Sequence, residues 1–217
     1  YPDATVRTIV SQWNNNHQQP GWSLGITSTK SAYQPRNLIL QLIGDRRQGV
    51  SGYEVIASGL RPELNKPYYV AVTVDVSDTT KTGVTFYLKD LSQPGAELQV
   101  AHVPHKATGH FRGSAPLVVG GRHGVSGHRW DGLIDDLRIS KTRLPANQLL
   151  IQQQLEPSSE TVGHWTFSAK QPERDLSSHH HDLQSSHSAT TESDPQYRAL
   201  VDFCHLLLNS NEFIYVD

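Results

Sequence analysis

The chain has 217 residues, 36% of them hydrophobic and 18% charged, with a formal net charge of -2. That balance supports a core of one sizeable domain and excludes a coiled coil or a long charged tail. It also lacks the concentrated basic surface that nucleic-acid binding requires, so no nucleic-acid partner is expected. A single cysteine, Cys204, excludes an intrachain disulfide and a cysteine-rich metal site. No run of 18 apolar residues is present, so no membrane span is expected. The chain starts at Tyr1 and contains no methionine. It therefore reads as a piece of a longer protein whose targeting signal lies upstream.

In chain order, Thr5–Gln12 opens a series of short strands. Trp22, Leu24 and Ile26 alternate with Ser23, Gly25 and Thr27, the period-2 mark of a half-buried strand. Leu38, Leu40 and Leu42 repeat the pattern, while Ile39 and Ile43 make the other face apolar too. Gly52–Ala57 follows, and then Tyr69–Val76, which carries four valines on one face. Val84, Phe86 and Leu88 come after a Thr-Lys-Thr-Gly turn. Leu98 with Val100, Leu117 with Val119, and Trp130 to Ile139 complete the series. About nine strands at spacings of roughly 10 to 20 residues predict an all-β antiparallel sandwich or jelly roll. The expected core is Trp22, Leu24, Ile26, Leu40, Val70, Val72, Val74, Phe86, Leu88, Leu117, Val119 and Leu137.

Beyond Ile139 the pattern changes. Pro145 opens a short helical stretch within Leu144–Leu155, and Pro157–Glu160 reads as a linker. His164-Trp165-Thr166-Phe167 is a short aromatic strand that needs an apolar partner. Residues 168–194 are rich in Ser, His, Gln and Asp, and are expected to be irregular. Asp194 and Pro195 then introduce a C-terminal helix over Pro195–Leu208, with Tyr197, Leu200, Val201, Cys204, Leu207 and Leu208 on one stripe. The domain plan is a jelly roll over 1–155, a linker with one strand and a His/Ser-rich loop over 156–194, and a helix with tail over 195–217.

The segment Trp130-Asp131-Gly132-Leu133-Ile134-Asp135-Asp136-Leu137-Arg138-Ile139-Ser140, continued by Thr142-Arg143-Leu144, resembles the closing signature of the laminin-G-like, concanavalin A-like jelly roll. Leu117–Gly121, Tyr68–Val76 and Val84–Leu88 resemble further strands of that family, so the likeness covers about residues 5–155. Gly163–Phe167 followed by Asp175–Leu183 is similar to the opening of such modules, with histidines at the usual Gly/Asn positions. Ala199–Asp217 resembles the terminal stretch of the DUF1553 (PSD1) proteins of planctomycetes. The resemblance implies a module of a larger exported protein, acting outside the cytoplasm against that parent's other domains. No Cys-x-x-Cys-His pattern occurs, so no covalent haem is expected.

Four groups of residues invite a site. Asp131, Asp135 and Asp136 are oxygen ligands of the type calcium takes. Asp135 shares strand parity with Leu133 and Leu137, so it should point inward and tie down a loop through backbone N–H groups. Histidines cluster as His102, His105 and His110, as His123 and His128, and as His179–His181 beside Asp182. They suit a transition metal only if four ligands converge, so loop solvation is the expected role and no cofactor is expected. Hydrolysis by paired carboxylates needs two carboxyls about 5–5.5 Å apart. Glu54, Glu63 and Glu97 stand alone on separate segments, so no catalytic residue and no enzyme activity is assigned. Glycan recognition is the preferred reading, with Trp13, Asn15, His17, His123 and His128 as the ligand-binding residues and Trp13 exposed near a strand end. A purely structural module and a glycoside hydrolase are the alternatives.

Overall fold

The computed structural model describes residues 6–47, 50–107, 109, 111, 113–151 and 158–185. The chain divides into two compact units, Tyr1–His181 and Asp182–Asp217. The stripe from Tyr197 to Leu208, expected as a helix, lies outside the described residues. Among the described residues no helix is long and apolar enough to cross a membrane.

The first unit is nearly all β, built from antiparallel sheets. Strands β1 (Arg7–Gln12), β2 (Gly21–Ile26), β3 (Leu38–Arg47), β4 (Val50–Ala57) and β8 (Val118–Val119) form one sheet in the order β4-β3-β2-β1-β8. Strands β5 (Tyr68–Val74), β6 (Val84–Asp90) and β7 (Gln99–Val103) form a second in the order β5-β6-β7. The short β9 (Leu137–Ser140) and β10 (Thr161–Trp165) pair separately.

Register explains why the two larger sheets stack. Trp22, Leu24 and Ile26 face Leu42, Leu40 and Leu38, and Leu40 continues to Ile56. In the other sheet Val70, Val72 and Val74 face Leu88, Phe86 and Val84, and Phe86 continues to Ala101. Because side chains alternate across a strand, each row forms one apolar face. Apart from Leu88, these residues share a single cluster with Val10, Ala107 and Val119, with Leu38, Val84 and Phe86 fully buried. Burying such a side chain stabilises by about 1.5–3 kcal/mol, so the two facing rows are the main source of stability. The result is an all-β sandwich.

The expected core is met: Leu24, Ile26, Leu40, Phe86 and Leu88 are buried, and the remaining seven are partly buried against the cluster. The strand expected from Trp130 to Ile139 is shorter. Pairing starts only at Leu137, and Asp136, at a φ of 49°, takes a left-handed conformation that breaks an extended chain. Asp135 therefore precedes the strand and is exposed, correcting the inward placement that parity suggested. The helical stretch after Pro145 is a single 3-10 turn, Ala146–Gln148, and residues 152–157 lie outside the described set.

The compact unit runs past residue 155. Strand β10 pairs with β9, setting Trp165 opposite Leu137 and His164 opposite Arg138. Trp165 is buried and its indole N–H donates to the His181 carbonyl at 3.1 Å. Its ring folds back over Gly163, where an added Cβ would lie 2.2 Å from the ring edge. Among its described residues, 168–185, the following segment has no strand or helix, yet it is tied to β10 by hydrogen bonds. Asp175 is buried and accepts from the N–H groups of His164, Ser177 and His181 and from the Ser177 hydroxyl. Here Asp175, rather than Asp135, performs the loop-tying role.

Candidate functional site

The second face of the five-stranded sheet is where chemistry collects. On β1, the register shifts between Thr8 and Val10, so an extra residue is inserted there. Such a bulge resets which way side chains point. Thr8 and Ser11, three residues apart, consequently share a face with Ser23 of β2 and Gln41 of β3. All four are buried, an unusual row of polar groups on the floor of a sheet.

Arg122 lies over that floor. After β8 the chain turns back across β1: the N–H of Gly120 donates to the Ile9 carbonyl, the N–H of His123 to the Trp13 carbonyl, and the N–H of Thr8 to the His128 carbonyl. Ser11 anchors the same loop by donating to the Gly121 carbonyl at 2.8 Å. The Arg122 guanidinium donates through Nε to Thr8 Oγ1 at 3.0 Å, through Nη1 to Asn15 Oδ1 at 2.5 Å, and through Nη2 to Gln41 Oε1 at 2.5 Å. It sits 4.8 Å from the Trp13 ring centroid, within cation–π range. Arg122 is 4% exposed, and all three acceptors are neutral.

An aromatic stack runs outward from this group. Trp13 and His17 have centroids 5.5 Å apart, Trp13 and Tyr53 5.9 Å, and His17 and Tyr53 4.1 Å at an interplanar angle of 7°. Tyr53 also accepts from Gln41 Nε2 at 2.7 Å, which joins the stack to the polar floor. The loop carrying the stack is shaped locally: Asn14 accepts from the Asn16 N–H, and Asn16 accepts from the Gln18 N–H. Asn15 holds a φ of 67°, a conformation that Asn tolerates better than most residues. Gly21 leaves room beneath Trp13, since a Cβ there would come within 3.1 Å of the indole.

The electrostatics follow from burial. Desolvation pushes the Arg122 guanidinium down to about 10, with Tyr53 opposing, so it stays cationic at neutral pH. Burial pushes the Tyr53 phenol up, against the pull of Gln41 and Arg122. Burial, then the charge of Arg122, holds His128 below its usual 6.5, and the Val6 carbonyl on its Nδ1 opposes them.

The structure thus brings Trp13, Asn15 and His17 together through side chains and adds His123 through its backbone and His128 through charge. Trp13 corrects one expectation: it is 1% exposed, with its indole N–H donating to the Asn16 carbonyl. The exposed ring is His17. Sequence reasoning missed Arg122, Gln41, Thr8 and Tyr53. A basic residue between Gly121 and His123 carries no signal until the bulge places a polar floor beneath it.

The other candidates separate. Asp136 Oδ1 lies 2.8 Å from His164 Nε2, Asp135 accepts the Asp136 N–H, and Asp131 is exposed. Among the described residues no group of three or more His, Cys, Asp or Glu is placed to hold a metal ion. His164 is buried and its Nδ1 has no hydrogen-bond partner. His105 is buried between the carbonyls of Asp75 and Ala107, His102 meets the Thr85 hydroxyl, and His110 lies outside the described residues. His179 and His181 stack at 5.5 Å. Glu54 accepts the N–H groups of Lys106 and Ala107, and Glu63 pairs with Lys66 at 2.8 Å. Comparison of the chain with protein-family models, curated proteins and solved structures finds no match.

Proposed function

We propose that the chain is a non-catalytic recognition module for glycans, of the laminin-G-like, concanavalin A-like jelly-roll kind. It belongs to a larger exported protein of the planctomycete DUF1553 type and works outside the cytoplasm beside that parent's other domains. The observation that carries the reading is the Trp13–His17–Tyr53 stack set against the amide and hydroxyl groups around Arg122. Sugar rings present C–H faces that pack on aromatic rings and hydroxyls that pair with planar polar side chains; exposed His17 and half-buried Tyr53 supply the first, and half-buried Asn15 the second. The side chains that bond or stack around Arg122 include no carboxylate among the described residues, which favours binding over hydrolysis. The antiparallel two-sheet body and the pairing of the closing-signature strand β9 with β10 support the family reading.

The test is affinity electrophoresis against a panel of soluble polysaccharides, alongside a reducing-end assay. Retardation by at least one polysaccharide, weakened about tenfold by His17→Ala or Tyr53→Ala, is the expected result. Release of reducing ends would establish a hydrolase instead. No retardation by any member would leave the structural-module alternative, for which Leu133, 70% exposed, marks a different surface.

A further inference from the structure

We propose that Arg122 is the receptor for a carboxylate carried by the glycan, so that the ligands are acidic saccharides of the uronic-acid type. The inference rests on the glycan-binding reading and narrows its ligand class. A buried charge normally has an opposite charge beside it, because desolvation is otherwise uncompensated. Arg122 is buried, and no carboxylate pairs with it among the described residues. A guanidinium carries five N–H donors; three are used by Thr8, Asn15 and Gln41, which leaves two without an acceptor among the described residues.

The group is also held still. Its acceptors come from β1, β3 and the loop after β1, and Trp13 backs its plane. A planar fork fixed in this way loses little freedom when it takes a carboxylate in two parallel hydrogen bonds. Thr8 and Gln41 are buried, whereas Asn15 is half-buried on the loop that carries exposed His17. The Asn15 amide oxygen therefore occupies, as a neutral stand-in, the place a ligand carboxylate oxygen would take. Exchange of that neutral acceptor for a charged one strengthens the bond and supplies the missing counter-charge. The positive field is already felt nearby, since Arg122 helps to depress His128.

The experiment titrates the full 217-residue chain with oligogalacturonide, oligomannuronate, their methyl esters and sodium acetate, while NMR follows the His128 ring. At least one acidic oligomer should bind about tenfold tighter than its ester, and saturation should move the His128 titration upward. Arg122→Lys, checked for folding by near-UV circular dichroism, should abolish the acid–ester margin while keeping the charge. The acid–ester comparison on the unmodified chain decides the matter even if that variant unfolds. Equal binding of acid and ester would overturn the proposal and leave the glycan reading standing. Binding of acetate as tightly as the oligomers would overturn the saccharide assignment. No binding of any probe would overturn the proposal, and the neutral polysaccharide panel would then decide the glycan reading separately.

Discussion

The Asp175 carboxylate and the backbone N–H of His164 lie 2.8 Å apart, and that contact fastens an irregular segment to strand β10. The same carboxylate takes the Ser177 and His181 N–H groups, so one side chain replaces the ladder that a neighbouring strand would supply. Substituting Asp175→Ala leaves these buried donors unpaired, at a cost on the order of 3 kcal/mol. Chemical denaturation should show a lower midpoint with an unchanged slope; an unchanged midpoint would mean that water replaces the carboxylate without loss.

Acid should weaken the fold in two windows. Burial opposes ionisation of Asp175, but the donors of His164, Ser177 and His181 outweigh it and bring the group from 3.8 to about 2. A depressed carboxyl contributes stability that is present above its unfolded value and lost as pH falls through its folded one. His128 is likewise depressed, so its contribution is present above 6.5 and declines as pH drops below that value. Melting temperatures recorded from pH 8 to pH 2 should fall first below about 6.5 and again below about 4. His128→Gln should flatten the first decline, and Asp175→Asn should reduce the second, which the likewise depressed Asp75, Asp78 and Asp90 share.

Gly163 and Trp165 share one face of β10, and the indole occupies the space a side chain at 163 would need. Gly163→Ala should destabilise by about 1–3 kcal/mol through overpacking. The double variant Gly163→Ala with Trp165→Leu should cost less than the two single changes added together, because the clash goes with the ring. Strict additivity in urea melts would show that the ring is free to move aside.

Glu54 reaches from β4 to cap the N–H groups of Lys106 and Ala107 at 2.7 and 2.9 Å. Glu54→Ala should cost about 1–2 kcal/mol. Amide exchange at Lys106 and Ala107 should accelerate while exchange in Val70–Val74 stays slow. Uniform acceleration across both regions would show a global effect instead.

Calcium should leave the fold unchanged, since Asp136 is engaged with His164 and Asp135 with the Asp136 N–H. Melts in EDTA and in millimolar calcium should superimpose. An ion that binds the native state raises the midpoint by linkage, so a rise of several degrees would reveal a site.

The two facing apolar rows are legible in the sequence because Trp22, Leu24 and Ile26, Leu38, Leu40 and Leu42, and Val70, Val72 and Val74 each recur at every second position. The site is legible only in part. Trp13, Asn15 and His17 stand out as an aromatic and amide cluster after β1. Arg122 does not, because its meaning depends on Thr8 and Ser11 facing the same way, and strict alternation places residues three apart on opposite faces. The bulge at Ile9 removes that rule locally, and nothing in the composition of the strand announces it. Asp175 is hidden for a different reason: its partners are mostly backbone groups, which have no sequence identity.

The placement of β8 beside β1 also sets a schedule for synthesis. Val10 pairs with Val119, 109 residues later in the chain. At translation rates of about 5–20 residues per second, β1 waits roughly 5–20 seconds for that partner to be made. Throughout this interval the edge of β1 that will receive β8 is open, and Arg122 is not yet present to engage Thr8. A nascent chain released before that point would carry an unpaired strand edge, the feature that templates aggregation. Slowing translation between β7 and β8 should therefore lower the soluble yield more than slowing it after β10.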